Sequence, residues 1–284
     1  MQQHPPSTTE TMDDSDAPRW PMAKAVFPSA IKSFGQCPRR VRLMYIDKAE
    51  GKREYSVFLD KGIIAHDILR RQAILARDGQ PFLNEDWIAT TALDRLPDHE
   101  YPTPEIKQSH ANDIVRWVRY GLHQIDRDAE FLVIERYEIE KWVVDANETF
   151  SFGARPDVIM LRHDEQGDPF IEFVDYKTGK PYEDAVTPLL TRAVFRKLIA
   201  HRLGDLSGIR MIFTWSWLDQ ADTQSVEMDR EYYEYQWPTV SNELKRLIHE
   251  REWIAQPSFL CNYCPFQGNH CQEGNGPWIA EAWE

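Results

Sequence analysis

The sequence predicts an α/β fold in which helices flank a mixed central sheet. Three observations support this prediction. Helical patterns fill much of the first 130 residues, β-rich runs follow one another between residues 131 and 177, and a helical pattern over 185–203 precedes one more strand at 209–218. Strands joined by short turns pair antiparallel, whereas an intervening helix permits a parallel pair. We therefore expect both kinds of strand pairing in one sheet.

Apolar residues at helical spacing predict helices over about 57–77, 111–130 and 240–253, and one or two short helices within 28–46. A shorter helix is expected over 85–96, in a proline-rich stretch. Strands are predicted over 131–144, 149–161 and 170–177, separated by turn-forming residues. Residues 1–20 are predicted to be a disordered tail. The rest, 21–284, is predicted to be a single domain with a helical insertion at about 76–130.

The composition limits the possible partners. Lys and Arg number 33 against 46 Asp and Glu, a formal charge of −13. This charge excludes indiscriminate binding of polyanions, so a nucleic-acid site must be a local basic patch. The polar N-terminus lacks the features of a signal or transit peptide, and no run of about 18 apolar residues occurs. We expect a soluble, cytoplasmic protein whose thiols stay reduced.

The most informative segment is FIEFVDYKTGK, residues 170–180. On a strand, Asp175 and Lys177 project to one face and Tyr176 to the other. A carboxylate binds a hard divalent cation, and an ammonium group stabilises charge on a phosphate or holds the attacking water. Asp157, after Pro156, is a second carboxylate, and His66 lies on an otherwise apolar helix. Alone, each has an ordinary structural explanation; together they predict a phosphodiester-cleaving centre.

These motifs resemble the RecB-like branch of the PD-(D/E)XK nuclease superfamily. The similarity rests on GIIAHDIL from Gly62, on the Pro-Asp pair at 156–157, on DYKTGK from Asp175, and on the CPRR-containing opening at 27–48. It extends over about residues 27–271 and is weak between 76 and 130. The resemblance implies a restriction-endonuclease-like core and a metal-dependent nuclease.

The resemblance also implies roles for individual residues. His66, Asp157, Asp175 and the backbone carbonyl of Tyr176 would bind one or two Mg²⁺ or Mn²⁺ ions, and Lys177 would be the catalytic lysine. Glu135 is a weaker candidate for a supporting role, with an ordinary surface position favoured. The family often carries a Gln and a Tyr four residues apart on the next helix. Their best matches here are Thr191 and Phe195, which puts substrate positioning in doubt.

The cysteines form a second pattern. Three of them lie within eleven residues near the C-terminus and the fourth is near the N-terminus: Cys261, Cys264, Cys271 and Cys37. Four thiolates suit structural zinc or a [4Fe–4S] cluster, and spacing alone does not separate the two. The arrangement resembles iron–sulfur members of the branch, namely AddB-type subunits and CRISPR-associated exonucleases. This resemblance implies a [4Fe–4S] staple between residue 37 and residues 261–271, with Zn²⁺ as the alternative.

Two basic stretches are candidates for contacting DNA. One contains Arg39 and Arg40, and the other is the helix with Arg192 and Arg196. If both border the metal site, they would form a funnel for a phosphate backbone. A solvated helix face is the alternative interpretation for the second stretch.

The leading hypothesis is a Mg²⁺- or Mn²⁺-dependent DNA nuclease, expected to be an exonuclease on single-stranded or end-exposed DNA. The resemblance implies repair or defence, with a helicase or another repair or defence protein as partner. The chain has no G-x-x-x-x-G-K-[ST] pattern and is not itself expected to be a helicase motor. One rival is a nuclease-fold subunit that binds DNA or a partner without cutting. The other is a zinc-stapled protein unconnected with DNA.

Overall fold

Five strands form a mixed sheet in the computed structural model. Their order across the sheet is β1 (Glu130–Ile134), β4 (Val158–His163), β5 (Pro169–Lys177), β6 (Arg210–Trp217) and β7 (Asp222–Glu227). The pair β5–β6 is parallel, and the other neighbours are antiparallel. The predicted α/β class with a mixed sheet is therefore confirmed. The sequence does not predict strand β7, because its residues are mostly polar and exposed and show no alternation of apolar and polar side chains.

The run predicted as one strand over 131–144 is two strands in two different sheets. Strand β1 ends at Ile134, and β2 (Glu138–Asp145) pairs only with β3 (Glu148–Ala154) among the described strands. Between them, Glu135 adopts a positive φ of 42°. A left-handed residue is uncommon outside glycine and turns the chain sharply. That turn explains why a continuous β-rich sequence does not form a continuous strand.

The α-helices follow the apolar periodicity closely, apart from α5 and the last helix. They are α1 (Pro28–Gln36), α2 (Pro38–Val41), α3 (Val57–Arg77), α4 (Glu85–Arg95), α5 (Pro104–Leu122), α6 (Val186–Leu203) and α7 (Arg230–His249). Helix α5 begins where the Thr103 side chain accepts a hydrogen bond from the Ile106 backbone N–H and proline occupies the first turn. Helix α7 begins ten residues before the predicted start and contains Pro238.

Helices α3, α4 and α5 pack against the sheet face that carries Tyr176. The side chains of Ile68, Leu69, Ile114 and Val118 are buried with it. Burying apolar side chains of this size stabilises the fold by about 1.5–3 kcal/mol each. This core fixes the position of α3 relative to β5, and both elements carry predicted site residues.

The structure describes residues 19–21, 24–51, 57–98, 101–145, 148–206 and 208–273. Most of the predicted tail lies outside these ranges, although Trp20 is buried. The chain divides into two compact units. One contains residues 1–24, 29–52 and 242–284, and the other contains residues 25–28 and 53–241. No helix in the described ranges is long and apolar enough to cross a membrane.

Candidate metal centre

Three side chains from separate elements converge in the larger unit. Metal-binding atoms of His66 on α3, Glu135 after β1 and Asp157 before β4 all lie within 4.8 Å of one another. Strand pairing explains two of them. Ile134 pairs with Val158, so Glu135 and Asp157 are neighbours, and the Glu135 backbone N–H donates to the Asp157 carbonyl over 2.8 Å.

His66 reaches this point because α3 approaches β5 closely. A Cβ atom at Gly62 would lie 3.1 Å from the Thr178 hydroxyl oxygen, so the glycine leaves room for the end of β5. Ile64, Ala65 and Ile68 on α3 are buried and hold the helix against the sheet. The predicted motif from Gly62 to His66 therefore has a packing role as well as a chemical one.

Hydrogen bonds fix the orientation of the Asp157 carboxylate. Its Oδ1 lies 3.1 Å from Nδ1 of His66, and its Oδ2 accepts from the Tyr176 backbone N–H over 2.6 Å. The side chain therefore links α3 to β5. A carboxylate held by fixed donors needs little reorganisation to bind a cation.

Asp175 and Lys177 form an ion pair, with 2.6 Å between Oδ2 and Nζ. This contact agrees with the prediction that they share one face of β5. Tyr176 points to the other face, is buried, and donates from its hydroxyl to the Gly121 carbonyl over 3.4 Å. Asp175 lines the same cleft as His66 and Asp157. Three of the predicted side chains, His66, Asp157 and Asp175, therefore line one cleft, and Lys177 is paired with Asp175 beside it.

Burial and neighbouring charges shift the pKa values in this cleft. Burial lowers the pKa of His66, but the charge and hydrogen bond of Asp157 outweigh it, so that pKa is raised. Burial raises the pKa of Asp157, yet His66 and Lys177 bring it below its usual value. Burial leaves the pKa of Asp175 raised in spite of Lys177. Burial opposes the charge on Lys177, but Asp175 raises the pKa of Lys177 above its ordinary value.

Several charged residues around the centre were not identified from the sequence. Arg155 forms an ion pair with Glu135, and Arg70 lies 3.8 Å from the same carboxylate. Asp67 accepts from both Arg70, at 2.6 Å, and Arg95, at 2.5 Å. Burial and the Asp157 charge still raise the pKa of Glu135. Glu135, which the sequence offers only as a weaker candidate, lies at the end of the strand beside Asp157.

The donor set suits a divalent cation. Carboxylate oxygens favour Mg²⁺ and Mn²⁺, and one imidazole nitrogen is well tolerated by Mn²⁺-class ions. Two carboxylates of this cleft, Asp175 and Glu135, have raised pKa values. Perturbed pKa values of this kind are common at functional sites. The residues present therefore fit the kind of ion that the sequence predicts.

Other predicted site residues lie elsewhere. Thr191 and Phe195 are buried. Arg192 and Arg196 line a different pocket, together with Arg210 at the start of β6. Because β5 and β6 are parallel, with Phe170 opposite Arg210 and Asp175 opposite Trp215, this pocket borders the opposite end of the strand pair from Asp175.

The four cysteines line one cavity in the smaller unit. Arg39 and Arg40 line the same cavity. All four are partly exposed and free of disulfides. Their surroundings are ordered by local hydrogen bonds, such as the Cys264 N–H donating to the Cys261 carbonyl over 3.0 Å. The Arg39 guanidinium lies 3.6 Å from the Glu273 carboxylate. The structure therefore brings Cys37 together with the three C-terminal cysteines.

Comparison with known proteins gives a family match. A model of the PD-(D/E)XK nuclease superfamily matches residues 26–272. None of the curated proteins matches the chain. A solved structure described as "Crystal structure of SSO0001" aligns with 85% of this chain and 83% of its own at 14% identity, with a TM-score of 0.36. At that TM-score the structural similarity supports no conclusion about function.

Proposed function

Because the chain belongs to the PD-(D/E)XK nuclease superfamily, we propose that it is a Mg²⁺- or Mn²⁺-dependent deoxyribonuclease. The superfamily consists of phosphodiester hydrolases that use divalent metals. The observation that supports this proposal best is the convergence of His66, Glu135 and Asp157 beside the Asp175–Lys177 pair. These groups combine cation ligands with a positive charge, which is what hydrolysis of a phosphodiester requires.

We assign the metal ligands to His66, Asp157 and Asp175, with Glu135 added to the predicted set. The Tyr176 carbonyl remains a predicted ligand. A bound divalent cation would polarise the phosphate and lower the pKa of a coordinated water. Asp157 is held by His66 and the Tyr176 backbone N–H, so its carboxylate is positioned before any cation binds.

Lys177 stabilises negative charge on the phosphate in this proposal. Since Asp175 raises the pKa of Lys177, the ammonium group stays protonated at neutral pH and does not act as a general base. Its Nζ is held 2.6 Å from Asp175, close to the ligand set. A fixed cation in a partly buried cleft is worth more to a developing charge than one in bulk water.

The wall of the cleft supports the proposed preference for single-stranded or end-exposed DNA and hence for exonuclease action. Leu59 and Ile63 line it on the same side of α3 as His66, and they are 61% and 53% exposed. Exposed aliphatic side chains offer no hydrogen bonds to a duplex backbone, but they can contact the flat face of an unpaired base. Arg95 and Arg155 line the same cleft, where they are paired with Asp67 and Glu135, and they add positive charge near a bound phosphate backbone.

We propose that the cysteines bind a structural [4Fe–4S] cluster. What supports this proposal is that Cys37 and the three C-terminal cysteines line one cavity, as a group with four thiolate ligands requires. Structural zinc takes the same ligands, so the colour and metal content of the protein separate the two. A colourless preparation with one zinc per chain would contradict this assignment, whereas a brown preparation absorbing near 400 nm is expected.

A cleavage assay separates the proposed nuclease from a nuclease-fold subunit that only binds DNA or a helicase. The wild-type protein is expected to degrade single-stranded DNA with Mn²⁺, and both Asp175→Ala and Lys177→Ala are expected to abolish cutting. Lys180→Ala is the matched control, because Lys180 is an exposed lysine three residues further along. Absence of wild-type cutting on every DNA form would favour the binding subunit.

A further inference from the structure

We propose that the pocket formed by Arg192, Arg196 and the beginning of β6 binds a backbone phosphate of the same DNA strand, away from the metal centre. This inference rests on the proposed function, since it takes the nucleic-acid strand as the ligand. The pocket lies wholly within the larger unit, between α6, the start of β6 and the turn from β7 into α7.

Two arginines in this pocket form no ion pair within the described part of the chain. Arg210 and Arg230, which also line it, are paired with Asp164 at 2.6 Å and with Glu234 at 2.7 Å. Within the described ranges, by contrast, no carboxylate lies at ion-pair distance from Arg192 or Arg196. In a chain of net charge −13, two adjacent arginines that are not engaged in ion pairs supply local positive charge, which nucleic-acid binding requires.

The Arg192 side chain is also incompletely satisfied. Its Nε atom is buried and has no hydrogen-bond partner. A buried donor without an acceptor destabilises the fold, and more so when it is charged. Burial and the neighbouring Arg196 charge both lower the pKa of Arg192. A phosphate oxygen would supply the missing acceptor and separate the two positive charges.

An aromatic pair sets the position of the Arg192 guanidinium. The Tyr233 ring centroid lies 5.6 Å from its Cζ, and Tyr233 is stacked on Trp237 at 5.5 Å with an interplanar angle of 10°. A guanidinium held over a ring keeps its planar fork of N–H donors available at the edge, where it can bind two phosphate oxygens at once.

The acidic residues of the pocket limit what it can bind. Asp205, Glu227 and Asp229 line it, although Asp229 is engaged in accepting from the Tyr232 backbone N–H over 2.7 Å at the start of α7. A free polyanion would be repelled by these carboxylates. A single phosphate presented by a strand that is already held at the metal centre is more compatible with them.

The spacing of the two sites suits a strand. Arg210 is paired with Phe170, five residues before Asp175 on β5. At about 3.3 Å per residue, the two sites are separated by about 16 Å along the sheet. A strand held at both sites must bridge this distance, so the pocket would contact a phosphate other than the scissile one. The pocket would therefore hold the strand upstream or downstream of the scissile bond.

The test measures binding of a labelled 20-nucleotide DNA strand by fluorescence anisotropy, in EDTA so that nothing is cut. The double variant Arg192→Gln/Arg196→Gln is compared with a control, Lys197→Gln/Arg119→Gln. The control removes the same number of positive charges, but from exposed side chains outside the pocket. We expect the pocket variant to bind at least about tenfold more weakly. The plot of log K against log salt concentration should have a slope shallower by about 0.7, since one phosphate contact is lost and each contributes about 0.7 for a single strand.

Equal affinity and equal salt dependence of the two double variants would overturn the proposal, as would absence of binding by the wild-type protein. Arg192→Lys/Arg196→Lys keeps the charges and should recover part of the affinity, which shows that the glutamine variant has not merely misfolded. Cleavage is measured separately with Mn²⁺. Binding that depends on the pocket without any cleavage would refute the nuclease activity and leave the pocket supported.

Discussion

Glu135→Gln should abolish most of the stabilisation that Mn²⁺ gives to the folded protein. A ligand present at 100 times its dissociation constant stabilises the fold by about 2.7 kcal/mol. The larger unit has roughly 190 residues, and unfolding entropy of about 2.1 cal/mol/K per residue makes 1 kcal/mol worth about 2.5 °C. The wild-type melting temperature should therefore rise by about 7 °C. If removal of this carboxylate lowers the Mn²⁺ affinity about 100-fold, Mn²⁺ raises the melting temperature of the variant by only about 1 °C.

The same variant should be more stable than the wild type without metal. Burial and Asp157 raise the folded-state pKa of Glu135, although Arg155 opposes them. An acid whose pKa is raised on folding destabilises the fold increasingly as pH rises through that pKa. At pH 8 the wild type carries this cost in full, whereas glutamine has no charge. The metal-free melting temperature of Glu135→Gln should therefore be higher at pH 8 and approach that of the wild type in acid.

Differential scanning fluorimetry with and without Mn²⁺ measures both effects. Glu130→Gln is the matched control, because Glu130 begins the same strand but is exposed and outside the cluster. It should show the full rise with Mn²⁺. A Glu135→Gln protein that gains as much from Mn²⁺ as the wild type would refute the assignment of Glu135 as a ligand. A lower metal-free melting temperature at pH 8 would refute the charge argument.

Three further predictions concern catalysis, pH and packing. Lys177→Ala should lower kcat by at least about 100-fold while calorimetry shows Mn²⁺ binding retained; undiminished cutting in a gel assay would be the contrary result. Mn²⁺ affinity should increase with pH up to the raised pKa of His66 and level off beyond it, because His66 must lose its proton to bind metal; flat calorimetric affinity from pH 6 to 8 would argue against it. Gly153→Ala should lower the melting temperature by about 2–7 °C, because its Cβ would overlap the Phe27 ring, whereas Gly179→Ala, in open space, should not.

The proximity of the candidate site residues could be predicted largely because they lie in local motifs. The period-two alternation around Asp175 and Lys177 assigns both to one strand face, and the ion pair between them agrees with it. His66 was found because a polar residue interrupts an apolar helix. The sequence favours an ordinary surface position for Glu135, because its place beside Asp157 depends on the pairing of β1 with β4. Strand partners are set by tertiary packing, which one sequence does not display.

The same reason explains why the sequence did not show that Arg192 and Arg196 lie away from the metal centre. Helical periodicity shows that they share a face of α6, but not which end of the sheet that face meets. In the structure the two arginines border the start of β6. That end of β6 pairs with Phe170 of β5, whereas Asp175 lies at the other end. Likewise, β-rich composition between residues 131 and 144 does not reveal the positive φ at Glu135 that divides the run into two strands. Local propensity predicts elements more reliably than it predicts their partners.

The most direct test of the central claim is an anomalous-scattering map from a crystal of the protein grown with Mn²⁺. We predict a manganese peak within coordination distance of Asp157, together with His66, Asp175 or Glu135, and with the Lys177 ammonium group facing it. A protein saturated with Mn²⁺ that shows no peak in this cleft, or shows one only at other carboxylates, would contradict the account.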